Sequence, residues 1–299
     1  QKTAYEIGVR LVGSEMCIRD SYHPLAQSIA LPFLAILLMA GLALKTPNQT
    51  WKNANIAVVV GLGILGSYLL TFGFPPFPAR TSGQKFFFLV IAFTVAGIIA
   101  DSLPSKSAKP LFQLVGTTSV CLLAVPGILR EPGTLIPMTL GIFLLWHIAT
   151  SKLAPLAYGQ KSGLWSCAFI AMTVSLLAGT NGSLSIAQQS LAIGSCAAAL
   201  LIYSGLPGQN RPSWILIYVF FGPILLLVSQ ILLYEDVWRF SVVPAFGILF
   251  LDSILPKLFG NNYLKTIVYR ITLLVIYLGN LILCYLLSFL LGQFQEPYY

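Results

Sequence analysis

Charge is what this chain has least of: 9% of its 299 residues are Asp, Glu, Lys or Arg, and there are nine acids and two histidines in all. A soluble domain carries about 25% charged residues and needs them to meet water. This sequence cannot cover a globular surface, and a soluble enzyme is excluded. The shortage of histidine matters too, because one well-placed imidazole, His147, has no second to complete a zinc site or a proton relay. Of the five cysteines, Cys121, Cys167, Cys196 and Cys284 stand singly in separate apolar segments without C-x-x-C spacing. They read as small packing residues rather than a disulfide framework or a metal site. No metal and no cofactor is expected.

What the chain has in abundance is apolar sequence: 57% hydrophobic residues and a mean hydropathy of +0.84. The apolar residues fall in runs of about twenty, each long enough to cross a hydrocarbon core of about 30 Å. The expected fold is all-α, a polytopic transmembrane bundle of about ten helices with short loops. The spans are read at 25–44, 56–72, 86–103, 111–129, 134–150, 163–180, 184–203, 213–233, 240–255 and 267–291, those at 56 and 240 being among the shortest. They leave no room for an extramembrane domain.

Residues 1–20, QKTAYEIGVRLVGSEMCIRD, resemble translated sequencing-library adapter. CAG AAG ACG GCA TAC GAG AT reads Gln1 to Ile7, and GTG GGC TCG GAG ATG TGT ATA AGA GAC AG reads Val12 to Asp20. The stretch is therefore read as an artefact, not native, with no role for Cys17 or its neighbours. Residues 21–299 are read as a single integral membrane domain. Setting the artefact aside removes three residues of each sign, so the net charge stays at +8. In a membrane protein such an excess belongs to cytoplasmic loops rather than to nucleic acid, and no nucleic-acid partner is expected. Connections after odd-numbered spans hold Lys45, Lys52, Lys106, Lys109, Lys152, Lys161, Arg211, Lys257 and Lys265, whereas those after even-numbered spans hold Arg80, Lys85, Arg130 and Arg239. That partition places the odd connections in the cytoplasm.

Prolines inside or at the edge of spans (Pro32, Pro126, Pro137, Pro223, Pro244) should shape helices, or break one to line a solute cavity. The seventh span places Ser190, Gly194 and Ala198 four apart on one face, a stripe that lets another helix approach closely and points to a central position. Gln188 and Gln189 on the same span, with His147 on the fifth, form a candidate intramembrane polar site. Gly61-Leu62-Gly63-Ile64-Leu65-Gly66 matches GxGxxG in letters but lies inside an apolar span, where it reads as helix packing rather than a dinucleotide loop. The Trp146-His147 pair near a cytoplasmic end reads as an interfacial anchor.

The expected outer face gathers a second set. Phe72 to Ser82 holds three prolines among aromatics, suited to a fixed interfacial loop, and carries Arg80. Arg130 and Glu131 follow the fourth span; Glu235, Asp236 and Arg239 follow the eighth. Converging, these would pair Arg80 or Arg239 with Glu131, Glu235 or Asp236 and form a ligand-binding pocket for an anionic headgroup, or hold a general acid and base.

Ten spans with short loops in about 280 residues are similar in helix number and length to the drug/metabolite transporter superfamily. The five-plus-five duplication of that family is not clear here, and its usual cytoplasmic termini conflict with the charge partition. In the same loose way the chain resembles bacterial polytopic membrane proteins of uncharacterised function. These resemblances imply a multi-pass protein of the bacterial inner membrane, transporter-like, whose partners are the lipid bilayer and a small-molecule or lipid ligand. The alternatives are a membrane scaffold or assembly subunit, with a helix-packing partner or a second copy, and a membrane-embedded enzyme with an outward-facing charged site.

Overall fold

A computed structural model describes residues 26–43, 49–152, 161–202, 214–234, 239–250 and 267–293. Ten helices appear in the expected order, and no strand occurs among the described residues. They are α1 (Leu31–Ala43), α2 (Gln49–Phe72), α3 (Ser82–Ser102), α4 (Ser105–Ile128), α5 (Pro132–Ser151), α6 (Lys161–Thr180), α7 (Leu184–Ile202), α8 (Gly222–Tyr234), the 3₁₀ helix η1 (Arg239–Phe250) and α9 (Ile267–Gln293). Seven of the helical segments are long and apolar enough to cross a membrane. The protein is an all-α, multi-pass integral membrane protein.

Three helices begin earlier than hydropathy indicates, α2 at Gln49, α3 at Ser82 and α4 at Ser105. Their first turns are polar, so an apolar window starts only where the hydrocarbon does. At α3 the start is fixed by a capping box: Thr81 Oγ1 accepts from the Gln84 N–H at 3.3 Å, and Gln84 Oε1 accepts from the Thr81 N–H at 3.3 Å. This satisfies backbone donors that a helix leaves open. The ninth span is described over its first part, a 12-residue 3₁₀ helix containing Pro244. Asn280 of α9 donates to the Pro244 carbonyl at 2.8 Å.

The two π-helical turns, Ala26–Ala30 before α1 and Ile217–Phe221 before α8, each end two residues before a proline, Pro32 and Pro223. Proline lacks an N–H, and its ring collides with the carbonyl four residues back. A wider turn moves that carbonyl aside. For Pro32 the carbonyl is that of Ser28, which accepts from Ser195 Oγ of α7 at 3.4 Å.

The centre of the bundle is α8, not the seventh span. Of the window Ile217–Tyr234, 94% is buried, with α3, α4, α5, α6 and α7 packed around α8. Its fit depends on glycines and rings. Tyr218, Phe93, Phe112 and Trp146, from four different helical segments, are all buried and form one aromatic cluster, with Phe112–Tyr218 centroids 5.0 Å apart and Phe112–Trp146 5.4 Å. Gly116 and Gly222 make room for it: a Cβ there would lie well under 3.0 Å from the Trp146 ring and the Phe93 ring, respectively. Trp146, expected at the interface, is therefore a core residue; its Nε1 donates to Ser229 Oγ at 3.4 Å.

The α6–α7 hairpin is the closest helix pair, and the small-residue stripe does what its spacing indicates. Ser190 Oγ donates to the Ala171 carbonyl at 2.7 Å, Ser175 Oγ to the Ala187 carbonyl at 2.8 Å, and Gly194 faces Ala171 and the Ala168 carbonyl. Such bonds hold helices together where lipid and core are equally apolar. In the GxGxxG look-alike, Gly61 faces Thr94 of α3 and Gly63 faces Ile36 of α1 and Cys196 of α7. It is a packing site.

Candidate functional site

The end of the bundle carrying residues 73–81, 129–131 and 181–183 is called the outer end, after the charge partition. Just below it, α2, α3 and α7 enclose a crevice. From α2 come Ile64, Ser67, Tyr68, Thr71 and Phe72, whose spacing puts them on one helical face; α3 adds Phe86, and α7 adds Gln188, Gln189 and Ala192. The lining includes neutral polar groups and no charged side chain. Its walls lie too close to admit a water molecule.

Gln189 is 5% exposed, and its Oε1 has no hydrogen-bond partner. An amide oxygen buried without a donor costs about 1–3 kcal/mol, so the closed crevice holds an unmet acceptor. Thr71, by contrast, is satisfied by donating to the Ser67 carbonyl at 2.8 Å. A second orphan, Ser28 Oγ, is buried on the π-helical turn that packs on α7. The candidate polar site thus divides. Gln188 and Gln189 come together, in the outer third of the bundle rather than at mid-depth, while His147 is elsewhere. Gln230 is also buried near the outer end, where its Nε2 donates to the Ser82 carbonyl at 3.3 Å.

The lip of the crevice is the proline-rich loop. Gly73 turns the chain at φ +74°, a backbone region that costs glycine nothing, and the Phe77–Pro78 peptide is cis. Phe74 packs on Phe87 at 5.7 Å and Phe77 on Phe88 at 5.8 Å, yet both loop rings remain largely exposed. Tyr68 of the crevice joins the same aromatic series, 5.3 Å from Phe87. The loop rings thus meet the same aromatic series that reaches the crevice wall.

Only part of the expected charged rim falls among the described residues. Arg80, Arg130 and Glu131 are exposed and make no ion pair among the described residues; the Arg80 N–H donates to Gln84 Oε1 at 2.9 Å. Glu235, Asp236 and the Arg239 side chain lie outside the described residues. Arg80 and Glu131 sit on separate turns without pairing, and the other expected pairings, which involve Glu235, Asp236 or Arg239, lie outside the described residues.

His147 is exposed near the opposite end, where its Nδ1 lies 3.0 Å from Gln113 Nε2 of α4. No metal-binding cluster occurs among the described residues. Sequence reasoning missed Ser67, Tyr68 and Thr71 as partners of the glutamines; their i, i+1, i+4 spacing was a signal, but nothing in it shows which helix they face. No family model, no curated protein and no solved structure matches this chain.

Proposed function

We propose that this protein is a carrier of the bacterial inner membrane whose outer crevice opens to admit a small uncharged solute. The observation that supports this reading is the unpartnered Gln189 Oε1 in a crevice lined by Ser67, Thr71 and Gln188. A buried acceptor without a donor destabilises the closed state, and a solute presenting an O–H or N–H would relieve that cost. A conformational change is explained only by such differential interaction with the two states. The absence of charge in the lining favours a neutral ligand, because an ion there would lack a counter-charge.

In a cysteine-free background, Ser67→Cys should react with an impermeant thiol reagent applied outside intact cells. Leu70→Cys, one turn away on an exposed apolar face, should not. Equal protection of both would mean that the crevice never opens, and the carrier reading would be lost. Orientation is tested separately: Ser82→Cys should label from outside and Ser107→Cys only after permeabilisation. The reverse pattern would invert the charge-based topology.

An assembly-subunit reading rests on a different observation. Of the seven long apolar spans, α4 and α5 are the least covered, with 33% and 28% of their windows buried. Gly133 and Gly141 of α5 have open space beside them, and the Gln113–His147 pair is exposed. That face suits a further membrane helix or a second copy.

A further inference from the structure

Pro126 lies inside α4, so the Leu122 carbonyl four residues earlier loses its helical donor. Leu122 is 54% exposed, on the side of the bundle given to lipid, where a bare carbonyl is costly. Lys85 Nζ, from the first turns of α3, donates to that carbonyl at 2.8 Å. The next carbonyl, that of Leu123, accepts from the Tyr234 hydroxyl at the end of α8. The acceptor freed by the proline and the carbonyl next to it are thus reached from two different helices.

We propose that Pro126, Lys85 and Tyr234 form a latch that fixes the outer end of α4 against α3 and α8. The proline supplies both parts of the device: a weak point at which α4 can bend, and the socket that receives the lysine. A lysine reaching from α3 satisfies its ammonium at the level where water thins out, and its charge strengthens the bond. Lys85 is followed directly by Phe86, which lines the crevice. The latch therefore anchors the same turn of α3 that forms part of the crevice wall. Gln230, donating to the Ser82 carbonyl at 3.3 Å, ties that turn to α8 as well.

The test is a double-mutant cycle on the full chain in detergent, with two measurements. Lys85→Met should lower the unfolding midpoint by roughly 2–4 °C. In a Pro126→Ala background, where the alanine returns a backbone N–H to the Leu122 carbonyl, the same substitution should have little effect. Spin labels at Gly83 and Leu129, both open positions, should give one narrow distance distribution in the parent. Lys85→Met should broaden it or add a second population, Lys85→Arg should preserve it, and Lys85→Met with Pro126→Ala should restore it. Additive midpoint changes, or a distribution unmoved by Lys85→Met, would show that the lysine acts without the proline and would overturn the latch.

Discussion

Gly116→Ala is expected to destabilise the protein by about 3 kcal/mol or more, at the upper end of what a single added methyl costs in a packed core. The new Cβ would lie well under 3.0 Å from both Cζ3 and Cε3 of Trp146. The indole cannot step aside: Phe93 and Phe112 lie against it with centroids 5.9 and 5.4 Å away, and its Nε1 is engaged by Ser229. The clash falls on the six-membered part of the indole, so Trp146→Phe, which removes that part, should recover some of the loss. Unfolding by a denaturing detergent measures both. A Gly116→Ala protein as stable as the parent, or a double variant no better than Gly116→Ala alone, would mean that the aromatic cluster is less rigid than its geometry requires.

Gln189→Leu should have opposite effects on stability and opening. Removing a buried acceptor that has no donor relieves about 1–3 kcal/mol, and the isolated protein should unfold at a higher temperature. The same change favours the closed crevice, and a bias of that size alters an opening equilibrium by roughly 5- to 150-fold. Labelling of Ser67→Cys from outside should slow by a factor in that range. Gain of stability at the expense of a strained working site is a common trade. A faster labelling rate in Gln189→Leu would show that the amide holds the crevice closed, contrary to the proposed function.

The ten-helix order could be read from apolar runs because a bilayer leaves few alternatives to helices that satisfy their own backbone. Close approach of another helix to α7 was legible as well, since Ser190, Gly194 and Ala198 recur at helical spacing, but that the neighbour is α6 was not. The central helix was not legible. The Ile217–Tyr234 segment has the highest hydropathy of the seven long spans and is also the most buried. In water those properties go together, but beside lipid a Leu facing outward looks like a Leu facing inward. Trp146 was misread for a related reason: Lys152 nearby implied a membrane surface, while the room left by Gly116 lay on another helix. The crevice was half legible. Glutamines inside an apolar span draw notice, but the α2 face that meets them, Ser67 to Phe72, depends on rotation about a helix axis that local sequence does not determine.

The burial of α8 bears on how the chain is made. A ribosome releases the spans in order, so α1 to α7 enter the membrane before the helix around which several of them pack. Early hairpins such as α6–α7 can form at once, since each partner is already present. The aromatic cluster is completed later: Phe93, Phe112 and Trp146 touch one another across α3, α4 and α5, and Tyr218 joins them only with the segment that leads into α8. The site that α8 fills among them is closed only when that late-arriving segment enters it. Apolarity on every side serves that passage: a helix that has no preferred face toward lipid can cross it in any orientation before it finds its place.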